Sequence, residues 1–259
     1  MRSKSPGLRS NTQTKESRVN EWWDSLKTAF ELVWLWDETL SEIVRRSLMV
    51  SLSATVLACS LGMGVGAWLG VHRSRLMLAI LPVLNTLLAL PSVVVGLVVY
   101  LLLSRTGPLG HLGWLFTFQA MVLAQTVLLL PLVIALTRQW VNQADQDFGE
   151  QLASWGAGPW VRSWLLAWEV RWSLLTVIIT AFGRAVSEVG AVMIVGGNVD
   201  GFTRVMTTAI ALETSKGDLP LALGLGLVLL TVVLALHLSL SWLIRHKALN
   251  APIVAGASS

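Results

Sequence analysis

From Ser47 to Val71 the chain carries no Asp, Glu, Lys or Arg, and three further stretches, Leu76–Leu103, Leu112–Thr137 and Leu221–Ile244, are equally free of charge. A fifth, Trp172–Val195, is interrupted only by Arg184 and Glu188. Each is long enough to cross the hydrocarbon core of a bilayer, which takes about 20 apolar residues. In that medium every backbone N–H and C=O must find a partner within the protein, so a span is a helix or a barrel strand. The alternating pattern of a barrel is absent. A chain that is 54% hydrophobic and 13% charged is excluded from ordinary soluble domains. The expected fold class is therefore an all-α polytopic membrane protein of about five transmembrane helices.

Residues 1–20 are polar and are expected to be a disordered tail without a cleavable signal peptide, since the first apolar span begins too late. Residues 21–46 differ. Trp22, Leu26, Phe30, Val33, Trp36, Leu40 and Ile43 recur at steps of three and four, with Glu21, Asp24, Lys27, Glu31, Glu38 and Glu42 between them. That pattern predicts an amphipathic helix lying in the membrane interface or packed on the protein's own spans. The membrane domain is expected over 47–245 and a C-terminal tail over 246–259. Cys59 is alone and reads as a small core residue. Gly62, Gly64 and Gly66, and likewise Gly224 and Gly226, read as helix-packing positions. Pro82 and Pro91 predict bends in the second span.

The polar interval between the third and fourth spans, 140–171, is too polar to cross and too apolar for a loose loop. Phe148, Leu152 and Trp155 predict one short helix, ended by Gly156 and Gly158, and Pro159 is placed to start another. Trp160, Trp164, Trp168 and Trp172 then recur every four residues, which suits the membrane–water boundary. The sequence holds no phosphate loop of the GxxxxGK[ST] type, no HExxH, no GxSxG and no paired Cys/His spacing, so no catalytic constellation and no metal site is expected.

Glu150, Gln151 and Leu152, with Gly156 six residues after the glutamate and Ala157 beside it, resemble the EAA-xxx-G loop of ABC importer permeases. The stretches Leu84–Gly110, Ala124–Leu136, Phe182–Asn198 and Thr203–Asp218 are similar to the tungstate and molybdate permeases of that group. Gln151 and Leu152 stand where the motif has alanines, and the Leu-Pro ending of the motif is replaced by Leu166-Ala167-Trp168-Glu169. The resemblance implies the ABC importer permease (MetI-like) fold with a cytoplasmic coupling helix. It implies as partners a second copy of the chain, a cytoplasmic ABC ATPase dimer that carries ATP and Mg, an external oxyanion-binding protein and membrane lipid, with no nucleic acid. It also implies that the chain itself is not an enzyme and holds no cofactor. The function it implies is inward movement of tungstate across the inner membrane by alternating access, the alternative being molybdate or another anion. An ion-coupled secondary transporter would call for inverted repeats, which are not evident.

With the Glu150 loop inside, Arg73, Arg75, Arg138, Arg162, Arg171, Arg245 and Lys247 fall on the cytoplasmic side, and Arg105, Arg204 and Lys216 outside. The basic residues of the N-terminal 46 run against this positive-inside pattern. Arg184 and Glu188 are four residues apart, so a continuous helix would pair them. Three roles compete for them: a packing pair, a gate or subunit contact, and a cationic site for a passing anion. A fixed pair offers a dianion little net charge, which favours packing or gating. Arg204, Thr207 and Thr208 lie on a segment too short to span, expected as an external helix at the pore mouth whose hydroxyls suit an oxyanion.

Overall fold

The structure, a computed structural model, describes residues 27–28, 31, 38–72 and 75–250. The polar tail and most of the expected interfacial helix lie outside the described residues. Helix α1 is Glu38–Val71. It is unbroken, so the boundary expected between residues 46 and 47 falls inside a helix. Leu40, Ile43 and Val44 are buried against Val186, Met206 and Leu225, as the first turns of a span. Helices α2 (Arg75–Ala89) and α3 (Ser92–Leu103) follow. Then come α4 (Phe118–Ser154), α5 (Pro159–Glu169), α6 (Arg171–Val186), α7 (Gly190–Gly196), α8 (Met206–Lys216) and α9 (Leu219–Asn250).

Three helices, α1, α4 and α9, are long and apolar enough to cross a membrane unaided. Two bent pairs supply up to two more spans. Helices α2 and α3 meet at 97° across Leu90–Pro91, and α5 and α6 meet at 76° at Val170. The expected second span is thus broken where Pro91 removes a backbone donor. The expected fourth span is broken too, because α6 ends at Val186 and α7 starts at Gly190.

The bundle is organised around the contact of α1 with α4. A Cβ added to Gly66 would lie 2.7 Å from the Ile134 carbonyl oxygen and 2.8 Å from Thr137 Cβ. At Gly62 and Gly70 it would come within 2.9 Å of Val133 and Val141. Glycines at four-residue spacing therefore form a flat strip that lets the two backbones approach closely. Two expected packing positions differ: Gly64 and Gly226 face open space, because they lie off the contact faces. Gly96 of α3 meets the Ala191 backbone of α7 in the same close manner, where a Cβ would sit 2.7 Å from Ala191 Cα. The central core joins Ala54 and Ala58 of α1, Leu103 of α3, Met121 and Leu129 of α4, and Val192 and Val195 of α7.

The two ends of the bundle are distinct. Arg46 Nη2 donates to the Gly201 carbonyl at 2.7 Å, which sets the start of α1 beside the 197–205 loop. At the other end of α1, Ala67 and Val71 pack with Val141, Ala144 and Leu166. At 1.5 Å per residue the stretch of α1 from Arg46 to Val71 separates these ends by roughly 38 Å.

Candidate functional sites at the two ends of the bundle

Helix α4 has 37 residues and is roughly 55 Å long, against a hydrocarbon core of about 30 Å, so its last turns project from the apolar layer. The separate short helix expected around Phe148–Trp155 is the end of this one. Residues 138–148 contain neither Gly nor Pro, and nothing there stops the helix. It stops at Gly156, which has φ +77°. The Gly156 N–H donates to the Ala153 carbonyl at 2.9 Å and the Ala157 N–H to the Leu152 carbonyl at 3.1 Å. That double closure is a Schellman turn and needs the left-handed conformation glycine tolerates. Gly158 and Pro159 then start α5, with Pro159 at the position where its missing donor costs nothing.

This turn places Glu150, Gln151 and Gly156 on an exposed tip, with Leu152 and Ala157 half-buried beneath it. Phe148 and Trp155 also stand out from the tip. An ion pair between Arg162 of α5 and Asp145 of α4 ties the two helices together behind it. The Asp145 side chain is only 2% exposed. A Cβ on Gly149 would lie 2.7 Å from both Arg162 Nη2 and Asp145 Oδ1, so glycine leaves the passage that the guanidinium uses. An open depression of about 480 Å³ borders the pair, with Glu150 and Ala153 on its rim. Sequence reasoning missed Asp145 and Gly149. The available signal was a glycine inside a helix, a choice that costs about 1 kcal/mol against alanine without a packing reason.

At the opposite end the expected Arg184–Glu188 pair does not form. Helix α6 ends between the two residues, so the four-residue helical spacing does not hold across them. Arg184 is exposed in the last turn, while Glu188 is buried. Glu188 Oε1 instead accepts the Gly190 N–H at 2.9 Å and the Ala191 N–H at 3.4 Å, capping the start of α7. Other groups satisfy the rest of the break, as a low-dielectric setting requires. Gln125 of α4 donates to the Ala185 carbonyl at 3.0 Å, the Ser187 hydroxyl to the Gly183 carbonyl at 2.9 Å, and the Thr207 hydroxyl to the Glu188 carbonyl at 2.7 Å.

The hydroxyls expected to face an oxyanion are thus used within the chain. Thr207 bridges α8 to the break, and Thr208 Oγ1 is 3.1 Å from both the N–H and the carbonyl oxygen of Val205 at the start of α8. Arg204 pairs with Asp200 at 3.0 Å. Thr203, which donates to the Gly196 carbonyl at 2.6 Å and accepts the Val199 N–H at 2.9 Å, closes the loop between α7 and α8.

Long apolar helices, two bent span pairs and a projecting helical turn define a multi-pass membrane protein. The chain belongs to the family of inner membrane components of binding-protein-dependent transport systems, whose model matches residues 62–248 and so includes both ends just described. It is 40% identical over 200 residues to the tungstate uptake system permease protein of Peptoclostridium acidaminophilum, covering 77% of this chain and 88% of that one. It is 37% identical over 195 residues to the tungstate uptake system permease protein of Campylobacter jejuni, covering 75% and 82%. Identity to the molybdenum transport system permease protein of Azotobacter vinelandii is 31% over 179 residues, covering 64% and 77%.

Proposed function

We propose that this chain is the transmembrane permease subunit of an ATP-driven ABC importer that moves tungstate into the cytoplasm by alternating access. The observation that carries this reading is the higher identity to two tungstate permeases, 40% and 37%, than to the molybdenum permease, 31%. Molybdate is the second reading, favoured by that last relative. The working unit is a pair of these chains with a cytoplasmic ATPase dimer and an external oxyanion-binding protein. ATP and Mg belong to the ATPase, and this chain supplies no catalytic group.

In this reading the coupling region is 140–171 within a membrane domain of 47–245. Glu150, Gln151, Leu152, Gly156 and Ala157 form the surface that meets the ATPase, supported by their position on a rigid projecting turn. Arg184 is assigned to the translocation route, because it turns outward from its own protomer without an ion-pair partner among the described residues. An exposed charge within a span is costly beside lipid and is accommodated by water or a second subunit. The break between α6 and α7 is assigned as the gate, braced by Glu188 and Thr207, with Thr208 bracing the adjoining start of α8 and Arg204 the external loop.

The test is uptake into proteoliposomes containing the permease, its ATPase and its binding protein, with metal measured by mass spectrometry. ATP-dependent accumulation of tungstate in preference to molybdate is expected. Preference for molybdate would replace the substrate assignment, and ATP-independent uptake would overturn the transporter class.

A further inference from the structure

Helix α5 carries Trp160, Trp164 and Trp168 at 77%, 74% and 63% exposure, all on one face. Its opposite face is buried through Ser163 and Leu166. Because α5 meets α6 at 76°, a membrane-crossing α6 leaves α5 close to the plane of the bilayer. Beside this tryptophan row a groove of about 380 Å³ runs between α5, α1 and the start of α6, with Met63, Gly64, Ala67 and Leu174 on its walls. Gly64 has open space where its Cβ would be, so this glycine deepens the groove rather than seating a helix. Ala67 and Met63 stand four and eight residues before the end of α1, which is about 6–12 Å along the helix.

A cation stands at the mouth. The Arg171 guanidinium carbon lies 5.1 Å from the Trp168 ring centroid and 5.6 Å from that of Trp172. Its Nη1 donates to the Trp168 carbonyl at 2.9 Å. Among the described residues no carboxylate lies within ion-pair distance of it. Arg171 is therefore held in orientation by two rings and a carbonyl while its charge is left uncompensated beside an apolar slot. An acidic headgroup joined to a hydrocarbon chain complements both features. The geometry points to a binding site for one anionic phospholipid of the surrounding bilayer, its phosphate on Arg171 and one acyl chain in the groove between α1 and α5. This site is independent of the transported anion, and it would fix the angle of α5 behind the exposed turn.

Native mass spectrometry of the full-length chain in its transporter complex tests this, with phosphatidylglycerol and phosphatidylcholine titrated separately. Phosphatidylglycerol is expected to be retained more strongly, and Arg171→Gln to reduce that retention about fivefold, the worth of one basic residue at a lipid surface. Gly64→Phe, which fills the groove, should reduce retention of both lipids. Should that variant fold poorly, Gly64→Val gives the same comparison with less bulk. Equal retention of the two lipids by the unaltered chain overturns the proposal, and so does full retention by Arg171→Gln or by the folded groove-filled variant.

Discussion

Arg162, in the first turns of α5, forms an ion pair with the buried carboxylate of Asp145, which lies nine residues before the end of α4. The pair spans the Schellman turn at Gly156 and fixes the angle between the two helices. Removing one member takes this ion-pair contact from the other, which costs more than replacing both. Because the Arg162 side chain is 22% exposed, the loss is expected at roughly 2–3 kcal/mol, below the 3–5 typical of fully buried pairs. Asp145→Asn and Arg162→Met should each lower thermal stability, and the double variant should recover part of the loss. Unfolding midpoints in detergent measure this. Additive losses would show that the pair is incidental.

Gly149 offers a second handle on the same strut. A methyl group there would press on both Arg162 Nη2 and Asp145 Oδ1. Gly149→Ala improves helix propensity by about 1 kcal/mol, yet it is expected to destabilise by displacing the pair. A stability gain from Gly149→Ala would mean that the guanidinium has another route.

Gly156 carries the turn itself at φ +77°. A bulky residue in that conformation costs about 1–2 kcal/mol. Gly156→Trp should leave the membrane helices intact, because its Cβ direction is open, while changing the shape of the exposed tip. Reduced co-purification of the ATPase, with an unchanged helical signal by circular dichroism, is the expected outcome. Unchanged association would remove this turn from the docking surface.

The glycine strip separates packing from mere composition. Gly66→Val is expected to disrupt the α1–α4 contact severely, since even a Cβ comes within 2.8 Å of backbone and side-chain atoms. Gly64→Val should be nearly neutral for folding. A comparison of folded yield in detergent decides, and similar behaviour of the two variants would contradict the packing described.

Spans were the most legible part of the sequence, because a long stretch without charge has few alternatives to a buried helix. Pro91 also announced its break. The break at Ser187–Val189 was not legible, since nothing in Arg184–Met193 forbids a helix. It exists because Gln125, Ser187, Glu188 and Thr207, from three different parts of the chain, satisfy the freed backbone groups. Gly62 and Gly66 were recognised as packing positions and Gly64 was misjudged, because spacing along a helix shows a face without showing what lies opposite. The pairing of Asp145 with Arg162 escaped notice for a related reason: their meeting depends on the angle at which the chain returns after Gly156.

Arg184 and Glu188 provide the sharpest contrast between spacing and structure. A paired reading predicts that each single alanine variant is harmful and that the double variant is partly rescued. The observed arrangement predicts something else. Glu188 accepts two backbone N–H groups at the start of α7, and its carbonyl receives the Thr207 hydroxyl. Glu188→Ala should therefore cost about 1–2 kcal/mol by leaving buried donors unmade. Glu188→Gln, which keeps an acceptor oxygen, should cost less. Arg184 contacts no carboxylate among the described residues, so Arg184→Ala should leave stability within about 0.5 kcal/mol of the unaltered chain. The double variant should behave as the sum of the singles, with a coupling energy below about 0.5 kcal/mol. Any effect of Arg184→Ala should then appear in anion uptake at unchanged stability, as expected of a cation on the route rather than in the core. A coupling energy well above that limit, or rescue of Glu188→Ala by Arg184→Ala, would show that the two residues meet in some state of the transport cycle.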